Sequence, residues 1–398
     1  MNYIFISPHF PDNFQNFVFR LNEKGVKVLG IGDTPYEGLT QELRDALTEY
    51  YRVDSLENYD EVLKACGFFT HKYGKIDRIE SQNEHWLELD AALRTDFNVS
   101  GFKNEDMDRI KAKSAMKEVY RQIGIPVAEG RVFTGQDDAK LLAKELGYPV
   151  CIKPNIGVGA LDTHNIQNGE ELAHFFRDRE DQLITGDRIP YIMEAYVDGD
   201  IVTFDGLTDR DGNVVFMSTL IYDKPVLDII EDDTDMYYYI PRDIPKDLEE
   251  AGKKCVEAFN VKERFFHFEF FRLKDTGQLV GLEVNCRPPG GMTMDMFNYA
   301  NDIDMYSEYA NIVLGEDFSA PITRPYYCCY IARKHRRHYV HSREDIDHNY
   351  GEYILSNVEM PDIFSAVMGN YGYLFRCETE EKMMEIIDYI SRLEEENH

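Results

Sequence analysis

Apolar and polar positions follow two rhythms along this chain. Over the first hundred residues, short apolar runs at 3–7, 26–31, 51–53 and 76–81 read as strands. Between them lie segments with helical spacing, at 13–25, 37–49, 58–73 and 84–97. The first carries Phe14, Phe17, Val18 and Leu21 on one stripe and stops at Gly25. Strands alternating with helices predict a parallel, Rossmann-like sheet. The first strand-to-helix turn, residues 7–12, lacks G-x-G-x-x-G, so nothing there supports dinucleotide binding.

The second rhythm starts after residue 103. A long helix is expected over 105–124, with Met116, Val119, Tyr120 and Ile123 on its apolar stripe, broken by Ile125-Pro126. A strand (131–133), a helix (137–146), a strand (149–153), a Gly-containing loop (155–162) and a helix (170–179) follow. From 190 the pattern turns to hairpins, with strands at 191–197, 201–208 and 214–221 and a second hairpin over 265–285. Helices are expected at 246–259 and 292–314. Strands at 326–332 and 371–377 and a last helix at 379–394 make a small α+β tail. The expected architecture is α/β followed by α+β, divided at 1–103, 104–190, 191–320 and 321–398.

Charge narrows the partners. Against 43 Lys and Arg stand 73 Asp and Glu, a net charge of −30. So acidic a chain is unsuited to nucleic acid or to anionic lipid, both of which need a basic face. A small phosphorylated ligand stays open, because it needs only two or three local cations. No apolar run is long enough to span a membrane, and the start reads as a strand rather than a leader peptide. The seven cysteines show no C-x-x-C spacing and read as reduced thiols of a cytoplasmic protein.

The hairpin over 265–285 concentrates chemistry. Side chains alternate across a strand, so His267 and Glu269 share one face, and Glu283 and Asn285 share one face of the return strand. Symmetry about Thr276 sets Glu269 opposite Glu283 and His267 opposite Asn285. Opposed Cβ atoms lie about 5 Å apart, so the carboxylates repel unless a cation sits between them. Two carboxylates and an amide carbonyl form an oxygen-only set suited to Mg²⁺ or Mn²⁺. Arg287 follows in phase and offers a guanidinium for an anion beside the metal. For the hairpin alone, an ordinary solvated face is the competing reading, and a register slip of two residues removes the metal reading.

Other candidates are weaker singly. Lys153 ends a strand before a loop with Gly157 and Gly159, where backbone N–H groups can meet an anion; the loop is not a P-loop. Lys113 alone reads as a surface lysine. The strand Ile192 to Val197 can offer main-chain groups to a flat base. Glu84 is a candidate for a substrate ammonium, and the Gly290-Gly291 main chain at a helix start for a carboxylate. His267 also borders a possible pocket, and 333–338 is the one dense basic run.

Taken in order, Lys113, Lys153 with its glycines, Glu194-Ala195-Tyr196-Val197, Glu269, and Glu283-Val284-Asn285-Cys286-Arg287 resemble the ATP-grasp superfamily over nearly the whole chain. The front half is similar to the domain preceding ATP-grasp units in biotin carboxylase and carbamoyl-phosphate synthetase. The resemblance implies ATP between two α+β lobes. Lys113 and Lys153 would grip phosphates and the loop 157–161 would fold over them. Glu194 and Val197 would be hinge positions holding adenine. Glu269, Glu283 and Asn285 would hold one or two Mg²⁺, and Arg287 would steady an acyl phosphate. Many members carry a ribose-binding Glu where this chain has Ile201; Asp200 is the substitute, although alternation points it the other way.

The resemblance implies ADP-forming ligation of a small-molecule carboxylate, amino-acid-like, to an amine. Three alternatives stand beside it: a bicarbonate-activating enzyme like biotin carboxylase or carbamoyl-phosphate synthetase, an ATP-grasp kinase, and a non-catalytic nucleotide binder. Homodimers are common among similar enzymes.

Overall fold

The computed structural model describes residues 1–157, 162–179, 190–224, 229, 234–360 and 365–394, and three sheets organise them. The first is parallel, in the order β3-β2-β1-β4, from β1 (Asn2–Ile6), β2 (Lys27–Gly32), β3 (Glu49–Arg52) and β4 (Arg78–Glu80). Helices α1 (Gln15–Glu23), α2 (Gln41–Ala46), α3 (Tyr59–Tyr73) and α4 (Leu87–Asp96) alternate with the strands. The helix expected over 37–49 is shorter, because the Thr40 hydroxyl accepts from Leu43 N (3.2 Å) and starts α2 late, while Glu49 already belongs to β3. Strand β4 ends at Glu80, so residues 81–86 leave the sheet at the carboxyl ends of its strands, where open α/β sheets carry ligand-facing loops.

The helix expected over 105–124 is two helices, α5 (Asn104–Lys111) and α6 (Lys113–Gln122). Ala112 between them is extended, at φ −84° and ψ 117°. Asn155 supplies acceptors for the restarted helix: its carbonyl takes Lys113 N (2.8 Å) and its side chain takes Ser114 N (2.9 Å). The restart rotates the buried face. Lys113, Met116, Lys117 and Tyr120 point inward, at helical spacing, in place of the all-apolar stripe.

The second sheet is antiparallel, in the order β5-β8-β6-β7, from β5 (Gly130–Val132), β6 (Val150–Pro154), β7 (His164–Ile166) and β8 (Tyr191–Ala195). Helices α7 (Gln136–Leu146) and α8 (Gly169–Arg177) cover it through Leu142, Leu172, Phe175 and Phe176.

The third sheet has nine strands, in the order β14-β13-β9-β11-β12-β15-β17-β16, with β10 beside β9. They are β9 (Gly199–Thr208), β10 (Val214–Ser218), β11 (Ile221–Tyr222), β12 (Tyr237–Ile240), β13 (Phe265–Leu273), β14 (Leu279–Asn285), β15 (Tyr327–Arg333), β16 (Ile354–Glu359) and β17 (Tyr371–Cys377). The strands of 321–398 therefore continue the sheet of 191–320, through β12, a strand set inside a stretch that reads as polar loop. The helix expected over 292–314 is also two, Thr293–Asn301 and Met305–Leu314, separated at left-handed Asp302 (φ 53°) and restarted by the Asp304 side chain on Ser307 N. Phe266, Phe268 and Phe270 fill the core face of β13 with Phe204 and Phe259.

Helix α6 locks onto the hairpin at one glycine. The Tyr120 ring lies where a Gly281 side chain would be: a Cβ built there meets ring carbons at 2.9–3.0 Å. Gly281 N donates to Pro126 O (2.7 Å), and Tyr120 Oη donates to the Glu283 carbonyl (3.2 Å). Gly281→Ala is expected to force Tyr120 and α6 outward and to cost about 1–3 kcal/mol, measured as a lower urea midpoint.

Candidate active site

The two glutamates meet at the base of the hairpin. Glu269 pairs with Glu283 and His267 with Asn285, the register that symmetry about Thr276 implies. That symmetry stops there. Phe270 pairs with Gly281, so Leu282 is an extra residue that bulges β14. The bulge keeps both glutamates in phase while bringing Gly281 under Tyr120.

Strand β9 widens the polar face. Asp205 pairs with His267, and Thr203 with Glu269. Neither was singled out by sequence, because their proximity depends on the pairing of two strands that are 56 residues apart in contact at Thr208 and Arg264. His267 lies between two carboxylates, with Nδ1 2.5 Å from Asp205 Oδ1 and Nε2 3.0 Å from Glu269 Oε1. Burial opposes its charge, but Asp205 and Glu269 prevail and raise its pKa to about 9. It is therefore an imidazolium that donates to both. The Thr203 hydroxyl donates to the second Asp205 oxygen. Against the cost of burial, His267, Arg287 and Lys113 hold the Glu269 carboxyl below its usual range. Glu283 is shifted the other way: burial and the Glu269 charge push it up, against the pull of Lys113.

Cations arrive from separate elements. Lys113, expected on a surface when read alone, is 4% exposed; its Nζ lies 3.1 Å from Glu283 Oε1 and donates to Gly157 O at 3.3 Å. Lys153 Nζ lies 3.1 Å from Glu194 Oε2. The other Glu194 oxygen is 3.0 Å from Lys117 Nζ, a buried lysine the apolar stripe concealed. Val197 is half-buried in the link from β8 to β9, between the second and third sheets. Gly159, with the rest of 158–161, lies outside the described residues.

Two expectations change. Glu84 has no oxygen left for a substrate ammonium in this arrangement: Lys111 Nζ donates to Oε1 (2.7 Å) and Arg287 Nε to Oε2 (3.2 Å). Its carboxylate instead fixes the Arg287 guanidinium, which also donates to Pro288 O (2.9 Å) and approaches Asn285 Oδ1 at 3.4 Å. Asp200 stays out of the site: it is exposed and pairs with Arg272, while alternation puts Ile201 on the face of Thr203 and Asp205. Arg333, from the basic run, is buried in the C-terminal layer, donating to His341 O and Ile390 O and lying 4.1 Å from the Tyr339 ring. Gly290 is exposed, and its carbonyl accepts from the Thr293 hydroxyl (2.8 Å) at the start of the helix Thr293–Asn301.

Behind the site, Glu80 joins the first sheet to the third. It accepts from Arg264 Nη2 with both oxygens (2.7 Å each) and from Arg94 Nη2 (2.6 Å). Although burial works against its charge, Glu80 holds the Arg264 guanidinium firmly protonated. Arg264 Nη1 also donates to Cys286 O, beside Arg287 (3.3 Å).

Among the described residues, no three of His, Cys, Asp and Glu form a ready metal cluster. The oxygen set of Glu269, Glu283 and Asn285 is thus a partial shell, currently balanced by His267 and Lys113. A partial shell of hard oxygens fits Mg²⁺, which keeps waters and takes phosphate oxygens as further ligands. All seven cysteines are free, and no helix among the described residues is long and apolar enough to cross a membrane.

Known proteins resemble this chain in sequence over part of its length and in fold over nearly all of it. Residues 146–295 match the family model of the ATP-grasp domain. The chain is 26% identical over 276 residues to an L-arginine-specific L-amino acid ligase of Bacillus subtilis, a match spanning 67% of this chain and 64% of that relative. It has the fold of an L-amino acid ligase from Bacillus licheniformis, with TM-score 0.74 and 15% identity over 97% of this chain and 95% of the other. A biotin carboxylase from Campylobacter jejuni aligns with TM-score 0.66 and 16% identity over 98% and 91% of the two chains. The matched stretch takes in Lys153, Glu194 and the glutamate pair of the hairpin, and residues 146–295 are an ATP-grasp domain.

Proposed function

We propose that this protein is an ADP-forming carboxylate–amine ligase that uses Mg-ATP and takes amino-acid-like substrates. The observation that carries the reading is Glu269 opposite Glu283, with Lys113 and Arg287 held beside them. In the first step a substrate carboxylate oxygen attacks the γ-phosphorus; its bond to the β–γ bridging oxygen breaks, giving an acyl phosphate and ADP. In the second an amine nitrogen attacks the acyl carbon, inorganic phosphate leaves, and the nitrogen loses a proton.

The chief obstacle is bringing two anions together. Lys113 and Lys153 would hold phosphate oxygens, and Arg287, aimed by Glu84, would hold the acyl phosphate. Glu269, Glu283 and Asn285 would hold Mg²⁺, or Mn²⁺, which neutralises phosphate charge when bound. Glu194 and Val197, at the link between the sheets, would place adenine, and Gly157 with Gly159 would close over the phosphates. His267, with Arg287 and Lys113, keeps Glu269 ionised. The substrate class proposed here is supported by two of the named relatives, which are amino acid ligases. Free thiols agree with a cytoplasmic setting.

The test is phosphate and ADP release with Mg-ATP against pooled amino acids and other carboxylates, with product masses read afterwards. A product equal to two substrates less one water is expected. A product heavier by one phosphate group would instead make it a kinase. ADP release that depends on no added carboxylate counts against both.

A further inference from the structure

We propose that Lys117 is a positioning residue that takes over Glu194 when Lys153 turns to the nucleotide phosphates. The inference rests on the nucleotide reading above and adds a residue to it. Three charges stand in a buried row: Lys117 Nζ is 3.0 Å from Glu194 Oε1, and Glu194 Oε2 is 3.1 Å from Lys153 Nζ. Their side chains are only 2%, 4% and 8% exposed. Two ammonium groups thus share one carboxylate, a local surplus of positive charge that Glu283 offsets in part from the side of Lys153. Such a surplus is costly unless an anion comes to meet it.

Neither Lys117 Nζ nor Glu194 Oε1 has an aligned hydrogen-bond partner, although the two atoms are close. Burial lowers the Lys117 pKa and the Lys153 charge lowers it further, against Glu194. For Lys153, burial is outweighed by Glu194, which holds the ammonium charged. Lys117 therefore stands at contact distance from Glu194, on the carboxylate oxygen that Lys153 does not face.

The backbone explains why Lys117 stays in place. Lys117 lies one turn beyond Lys113 on α6, whose start is held by Asn155 and whose far end packs on Gly281. Glu194 is held by β5, because Gly130 brings that strand so near that a Cβ there would meet Met193 O at 2.1 Å. If Lys153 alone faced Glu194, a phosphate drawing it away would leave a bare buried carboxylate beside an incoming anion. With Lys117 present, Lys153 can change partners while Glu194 stays neutralised.

The experiment measures Mg-ATP, Mg-ADP and adenosine binding by titration calorimetry for the full chain, Lys117→Met and Glu194→Gln/Lys117→Met, with thermal unfolding of each alongside. Lys117→Met is expected to weaken ATP and ADP by about tenfold while adenosine stays within about twofold. In the Glu194→Gln background the same change should leave the ATP-to-adenosine ratio unmoved, because no charge remains to be handed over. Equal weakening of ATP and adenosine overturns the proposal in favour of a packing role. An unchanged ATP affinity in Lys117→Met overturns it outright. If the unmodified protein binds no ATP, the nucleotide reading itself falls, and the handover with it.

Discussion

Glu283→Gln is expected to lower ATP-dependent turnover by about a hundred- to a thousand-fold while the protein stays folded. The figure is that for removing one preorganised electrostatic partner from a transition state that carries concentrated charge. Glutamine keeps the shape of the side chain and its place opposite Glu269, so β13 and β14 keep their register. What is lost is one of two carboxylates able to hold Mg²⁺, and the charge that pairs with Lys113. Excess Mg²⁺ should restore part of the rate if metal affinity is the main loss. The check is ADP release against Mg²⁺ concentration, with far-ultraviolet dichroism as the folding control. Turnover within about threefold of the parent would remove Glu283 from the chemistry.

The largest loss of stability is expected from Glu80→Gln, at about 3–5 kcal/mol. Glu80 answers two guanidinium groups, Arg94 and Arg264, whose side chains are 0% and 4% exposed. Removing its charge leaves two cations buried, with Asp90 the nearest other acid, 3.7 Å from Arg94 Nη2. Burial pushes the Asp90 carboxyl up to about 6 against the pull of Arg94, so it stays largely ionised near neutral pH, but its ion pair is with Arg94 and not with Arg264. Urea unfolding should show a lower midpoint with an unchanged slope. Because Arg264 also binds the carbonyl of Cys286, activity should fall before the fold is lost, as Arg287 is released from its place.

What the sequence disclosed depended on how local the signal was. The carboxylate hairpin was readable because alternation and one turn settle which side chains meet. Asp205 was not, since its place beside His267 depends on β9 joining β13, a pairing with no local signature. Lys117 was hidden for another reason: a search for apolar stripes passes over a lysine that is buried against a carboxylate. Reading 105–124 as one helix had the same root, because the acceptors that restart α6 belong to Asn155, just past the end of β6 and 41 residues along the chain from Ser114. Glu84 was read as a site for an ammonium and does hold one, that of Lys111. Its second partner, Arg287, comes from the far side of the chain and turns it into a support for the guanidinium.

The Asn155 cap has a mechanical meaning. Its bonds tie the first turn of α6 to the second sheet, while Tyr120 ties the last turn of the same helix to Gly281 in the third. One helix of ten residues is thus riveted at each end to a different jaw of the cleft. Lys113 lies in the first turn of that helix, so its place opposite Glu283 is set by both sheets at once rather than by the strand that carries the glutamate.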